Sequence, residues 1–277
     1  LKKNNFNIDF IGFHGQTIFH GPEKRITKQL GDGELLSKLT KKKVIYDFRQ
    51  NDIKNGGDGA PLSPIFHELI AFKYKINPPN IFVNIGGIAN YTFLRSQQMK
   101  ASKFKNLNAG DLCLGNCLID QWIRNKSEKN FDKDGKIAKS GKINKIKLKK
   151  ALNNYKMKKT RSLDIKNFNL TFVNGLSLKD GAATLTEYTA QILAKHLMTK
   201  TLDGIKIILC GGGRKNKFLI SKLKKIIPYP ILLIDEYGID GDFVESQAFA
   251  YLAVRSHFKL PISFPETTGC KNHAVEE

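Results

Sequence analysis

Two hydrophobic rhythms run along this 277-residue chain. Short apolar runs at 8–13, 44–48, 205–209 and 230–234 have the length and bounding turns of strands. At 81–94, IFVNIGGIANYTFL reads as strand, tight glycine turn and second strand. Helical spacing follows most of these. It is visible in Leu35, Leu36 and Leu39, after a turn from Pro61 to about Tyr74, and through Trp122. The clearest case is 180–200, where Ala183, Leu185, Tyr188, Ile192 and Leu193 approximate one apolar face. Another helix begins near Lys217. A last one runs from Gly241-Asp242 to about Phe258, with Asp242 and Glu245 at capping-box spacing. Strands alternate with helices over most of the length, so the fold class is α/β.

The stretch from Ile81 to Trp122 organises the rest. Adjacent Gly86 and Gly87 let the backbone turn tightly or approach a ligand closely. Asn84, Asn90 and Thr92 surround that turn, so it reads either as a plain hairpin or as an amide cradle for phosphate. Asp111 stands at the start of a second glycine-containing turn that leads to a helix. There it is either a cap on the helix N-terminus or a general base. His14-Gly15-Gln16-Thr17 reads as a turn at a strand end, facing a ligand or only solvent. Cys210-Gly211-Gly212-Gly213-Arg214-Lys215-Asn216 forms strand, glycine turn and helix start, a nucleotide-type geometry. It lacks the third glycine of the dinucleotide fingerprint and the GK[ST] of a P-loop. Arg161 reads as an anion clamp or a surface ion-pair partner, and Asp164 as a hydroxyl ligand or that partner.

Composition narrows the classes. The formal charge is +21, from 46 basic and 25 acidic residues, which raises the question of nucleic acid. The basic residues are mostly Lys without interleaved aromatics, so the charge reads as a solvated face rather than a stacking platform. Cys113, Cys117, Cys210 and Cys270 contain no CxxC. Cys113 and Cys117 could share a helix face, but a zinc site would need further ligands nearby. No apolar run is long enough to cross a bilayer, and no metal site is expected. Pro78-Pro79 marks a boundary between 1–77 and 78–277.

Several motifs in order resemble the anhydro-N-acetylmuramic acid kinases, members of the actin, Hsp70 and sugar-kinase superfamily. They are IGFHGQTIFH at 11–20, the Gly-Asp of 31–32, DFRQNDIKNGGDGAPLSPIFH at 47–67, NIGGIANYT at 84–92 and GDLCLGNCLIDQW at 110–122. TRSLD at 160–164, CGGGRKN at 210–216, GIDGDFVESQAFAYLA at 238–253 and FPETTG at 264–269 continue the series. One such turn would be weak; the ordered set spans nearly the whole chain.

The resemblance implies two ribonuclease-H-like domains with a cleft between them, the last segment packing back on the first. It implies ATP and Mg2+ as cofactors and an anhydro-sugar as substrate. Water attacks C1 of 1,6-anhydro-N-acetylmuramic acid, the bridge opens, and O6 takes the γ-phosphoryl group. It carries the base onto Asp111, the second phosphate turn onto Gly86, Gly87 and Asn90, and the adenosine motif onto Gly211, Gly212, Gly213 and Asn216. His14, Gln16, Arg49, Asp52, Gly115 and Asn116 would line or support the sugar side. Relatives of this kind are cytoplasmic and usually homodimeric, with no nucleic-acid or membrane partner.

Two departures accompany it. The family's DTGPGN is here Asp111-Leu112-Cys113-Leu114-Gly115-Asn116. The family's opening strand and GTSxDG phosphate loop have no counterpart in these residues, so, were residues 1–277 the whole molecule, an incomplete N-terminal domain and little or no kinase activity would be expected. The alternative is an inactive actin/Hsp70-like module that binds a nucleotide or a protein.

Overall fold

A computed structural model describes residues 7–95, 107–157, 163, 165, 168–200 and 202–272. The chain opens with β1 (Phe10–Phe13), β2 (Gln16–Gly21), β3 (Ile26–Leu30), α1 (Gly33–Thr40) and β4 (Lys43–Tyr46). Next come α2 (Gln50–Lys54), α3 (Pro64–Lys73), β5 (Asn80–Ile85), β6 (Ile88–Leu94), β7 (Leu107–Leu114) and α4 (Cys117–Lys126). The remainder is α5 (Lys136–Lys139), α6 (Lys145–Asn154), α7 (Leu178–Met198), β8 (Lys206–Cys210), α8 (Lys217–Ile226), β9 (Ile231–Leu233) and α9 (Val244–His257). Contacts divide the chain into two compact units. One comprises 1–75, 97–109 and 243–277; the other comprises 76–96 and 110–242.

In the first unit β1 pairs in parallel with β4, and β2 pairs antiparallel with β3. α9 packs on β1 and β4, and Phe48, Leu62, Ile65, Leu252, Ala253, Ile262 and Phe264 form the core there. The C-terminal segment therefore completes the core of this unit. Asp32 caps α1 by accepting the Leu35 N–H at 2.9 Å, as its place before the helix predicts.

The second unit is built on a five-stranded sheet in the order β7-β6-β5-β8-β9. β5 and β6 are the antiparallel hairpin, in a register that pairs Asn84 with Asn90. β5, β8 and β9 run parallel. Ile81, Val83, Ile85, Ile207 and Leu209 are fully buried, the reason these strands read as unbroken apolar runs. α7 packs against α4, α5, α6 and α8. It is buried beyond the single face expected: Ala182, Thr184, Thr186, Thr189, Ala190 and Ala194 are as inaccessible as Leu185 and Leu193. Small residues there allow close approach. A Cβ on Gly181 would lie 2.3 Å from the Trp122 ring, whose Nε1–H donates to the Leu178 carbonyl at 3.0 Å.

Several boundaries differ from the sequence reading, each for a local reason. Gln16 opens β2 rather than sitting in a turn, because its register with Leu30 begins there. α3 starts at Pro64, not Pro61; a proline at the first helical position needs no N–H partner. Asp111 lies inside β7, not at a helix start, because Leu112, Cys113 and Leu114 bury into the core and keep the chain extended. Cys113 is thus in a strand and Cys117 in a helix, so they share no helix face. Asp242 does not cap α9, which has Phe243 before it and no side-chain cap; its carboxylate is bound by Arg214 and Lys215 instead. The Lys-rich stretch forms α5 and α6, with Leu148 and Ala151 inward and Lys145, Lys149 and Lys150 exposed.

Candidate active site

The site in the second unit begins with the hairpin turn. β5 ends at Ile85, and Gly86-Gly87 carries the chain into β6. β7 ends beside it, and three donors of the next turn are spent on its carbonyls. Gly115 N–H reaches Gly87 O at 2.9 Å, Asn116 N–H reaches Gly86 O at 2.8 Å, and Cys117 N–H reaches Gly87 O at 3.1 Å. Gly115 must be glycine, since a Cβ would lie 2.3 Å from Gly86 O. The Asn116 amide donates to Ile85 O at 3.3 Å, tying the start of α4 to the end of β5.

The third turn leaves β8. Gly211 has φ +74°, where a side chain is strained, and a Cβ there would lie 2.1 Å from Asn84 Oδ1. A Cβ on Gly213 would lie 2.3 Å from the Ile85 side chain. The turns at 86–87, 115–116 and 211–213 therefore meet around Asn84 and Ile85, at the carboxyl ends of parallel β5 and β8. Open α/β sheets bind ligands at such strand ends. Asn216 is buried; its Oδ1 accepts the Leu219 N–H at 3.0 Å and so caps α8. Asn90 is half-buried on β6, opposite Asn84.

Asp111 is half-buried on β7, four residues before Gly115. Its Oδ2 accepts the Leu163 N–H at 2.8 Å, which anchors that oxygen. Next to it, Leu112 and Leu163 line a cavity of about 380 Å3 with Tyr155, Phe168, Phe172 and Tyr188. Burial pushes the Cys113 thiol above its ordinary range, so it is an inert core group. Asp120, one helical turn beyond Asn116, has its carboxyl raised to about 6, by burial first and by Asp132, against the pull of Arg124. Arg161 and Asp164 lie outside the described residues.

Sequence reasoning quoted Arg214 without giving it a role. Its side chain is 3% exposed. Nε and Nη2 donate to Asp235 at 2.7 and 3.0 Å, and Nη1 donates to Asp242 at 2.9 Å and to Gly211 O at 3.0 Å. The signal available in sequence was only a basic residue inside a glycine turn, with three aspartates between 21 and 28 residues later.

The remaining candidates belong to the first unit. The Arg49 Nε–H donates to His14 Nε2 at 3.0 Å, and His14 Nδ1 lies 2.9 Å from Gly15 O. That pattern defines the neutral ring with its proton on Nδ1. Burial, then the Arg49 charge, lowers the His14 pKa to about 4, and its ring stacks on Phe249 at 4.1 Å. Arg49 also donates to Gly59 O at 3.2 Å. Asp52 is fully buried, accepting from the Gly59 N–H and the Thr268 hydroxyl, both at 2.6 Å. Its contacts support the loop at 57–59 and the C-terminal segment. Gln16 is exposed at the start of β2.

Comparison with known proteins agrees along the chain. A relative from Pelagibacter ubique named anhydro-N-acetylmuramic acid kinase is 46% identical over 99% of this chain and 74% of its own length. Its namesake from Zymomonas mobilis is 39% identical over 97% of this chain and 73% of its own. Among solved structures, a ligand-bound xylulose kinase from Lactobacillus acidophilus aligns with 85% of this chain and 47% of its own. Its TM-score of 0.41 at 14% identity is too slight to bear on function. The anhydro-N-acetylmuramic acid kinase family model matches residues 1–276, and this chain belongs to that family.

Proposed function

We propose that the chain opens the 1,6-anhydro bridge of anhydro-N-acetylmuramic acid with water and passes the ATP γ-phosphoryl group to the freed O6. The supporting observation is the convergence of three glycine turns at the ends of β5 and β8, with Asp111 held on β7, the strand that runs into the turn at 115–116. Asp111 takes the proton from water as oxygen attacks C1. The C1–O6 bond breaks, O6 attacks the γ-phosphorus, and the products are N-acetylmuramic acid 6-phosphate and ADP. The turns at 86–87 and 211–213 present backbone to the nucleotide, which suits charge that spreads over phosphoryl oxygens.

ATP fits this glycine set: Gly212 is exposed, and nothing lies within 4 Å of where its Cβ would stand. Among the described residues no three His, Cys, Asp or Glu side chains cluster as a metal cage. Magnesium suits such a site as the companion of ATP, because it keeps its waters and takes phosphate oxygens with few protein carboxylates. When bound it neutralises phosphate charge. We place the reaction in the cytoplasm, where ATP is available. No helix among the described residues is long and apolar enough to cross a membrane.

The test is turnover in 18O-labelled water with Mg-ATP and the anhydrosugar. Label at C1 of the 6-phosphate is expected, and Asp111→Asn lowers the rate by about 10²–10⁴-fold. Product without label at C1, or an Asp111→Asn rate within tenfold of the original, overturns the reading.

A further inference from the structure

Arg214 holds the Gly211 carbonyl twice, through its Nη1 at 3.0 Å and its own backbone N–H at 3.3 Å. The carbonyl of Gly211 and the N–H of Gly212 belong to one peptide plane. That peptide is trans: the cis bonds among the described residues are Ala60-Pro61 and Pro78-Pro79. In a trans peptide the C=O and N–H point in opposite directions. Holding the carbonyl on the Arg214 side therefore turns the Gly212 N–H to the other side, away from the guanidinium. Gly212 is also the glycine of this turn whose missing side chain faces open space.

The guanidinium cannot itself serve a ligand. Asp235 takes Nε and Nη2, Asp242 and Gly211 share Nη1, and Asp240 lies 3.9 Å from Nη2. Gly241 lies flush against it, since a Cβ there would stand 2.2 Å from Nε. The Gly241 N–H closes the ring by donating to Asp235 Oδ1 at 3.3 Å. Three carboxylates around Arg214 and the Lys215 that binds Asp242 leave no surplus positive charge to draw in a polyanion. What remains for Arg214 is geometry.

We propose that Arg214, anchored by Asp235 and Asp242, is a positioning residue that aims the Gly212 amide at an acceptor oxygen of the nucleotide. This rests on the reading of the 211–216 turn as the ATP contact. A lysine would keep the charge but lose the planar fork that grips Gly211 and two carboxylates together.

The experiment titrates Mg-ATP into the original protein, Arg214→Lys, Arg214→Met and Asp235→Asn by calorimetry. Thermal unfolding and the 15N–1H signal of Gly212 are followed alongside. The original protein is expected to bind ATP with a shift of the Gly212 signal. Arg214→Lys, still folded, binds about tenfold more weakly, as loss of one charge-assisted hydrogen bond predicts, and its Gly212 shift is lost. Its KM for ATP rises by a like factor, while KM for the anhydrosugar stays near the original. Asp235→Asn moves the same way by less. ATP binding and Gly212 shift undiminished in Arg214→Lys overturn this proposal alone. If Arg214→Met and Arg214→Lys both unfold, Asp235→Asn decides it, and an unchanged Gly212 shift there overturns it. Absence of ATP binding by the original protein overturns the functional reading, and this proposal falls with it.

Discussion

Gly211, Gly212 and Gly213 are adjacent, yet they are glycine for different reasons. Gly211 needs its positive φ and would collide with Asn84; Gly213 would collide with Ile85. Gly212 meets neither constraint. Alanine at 211 or 213 is therefore expected to destabilise the fold by ~1–3 kcal/mol, the usual range for overpacking a tight site. Alanine at 212 is expected to change stability by less than about 0.5 kcal/mol, as surface substitutions do, while ATP binding weakens. Urea denaturation beside calorimetric titration checks both halves, and equal losses at all three positions would refute the division. Gly115 belongs with the packing glycines, because its absent Cβ lets two turns bond through Gly86 O and Gly87 O.

At the level of elements, the cap made by Asn216 and the nucleotide contact proposed for it can be separated by substitution. Its Oδ1 caps α8, and Gly135 packs on that same atom, where a Cβ would lie at 2.2 Å. Asn216→Ala should cost about 0.5–2 kcal/mol through the lost cap. Asn216→Asp keeps an acceptor at the cap, so near-original stability with weakened ATP binding would show that the amide also serves the nucleotide. Unchanged ATP affinity in a stable Asn216→Asp would confine it to capping. The strands β5 and β8, the long α7 and the glycine turn after Cys210 were legible, because unbroken apolar runs and glycine pairs are local signals. The position of Asp111 was not. A glycine and an aspartate before a helix look like a cap, and only the burial of Leu112, Cys113 and Leu114 makes the segment a strand. The role of Asp242 was hidden for a similar reason. Capping-box spacing is local, whereas Arg214 reaches it across 28 positions of sequence.

On the scale of the whole molecule, acid should act unequally on the two units. In the first unit burial lowers His14 and His67 to about 4 and also lowers His20, with the Arg49 charge adding to the effect on His14 and His20. A histidine kept neutral by the fold binds its proton more readily when unfolded. Its contribution is complete above the ordinary value of 6.5 and is lost as pH falls toward 4. For fully buried His67 that amounts to roughly 3 kcal/mol at most. Glu68 acts the other way, since burial raises its pKa and the fold gains as it protonates. Three losses thus stand against one gain. In the second unit His196 is lowered by burial and by Lys200 and Lys195, while Asp120 is raised to about 6, so one loss is set against one gain. Asp235 is held below the usual carboxylate range by Arg214, and Asp242 by Lys215 and Arg214, so both contribute only at still lower pH. Acidification from neutral to just above pH 4 should therefore weaken residues 7–75 and 243–272 more than residues 110–157. Amide hydrogen exchange across that range, corrected for intrinsic rates, reads the two separately. His67→Gln should flatten the pH dependence of the first unit by about one proton and leave that of the second unchanged. Parallel loss of protection in both units, or earlier loss in the second, would show that the buried histidines of the first unit do not govern its response to acid.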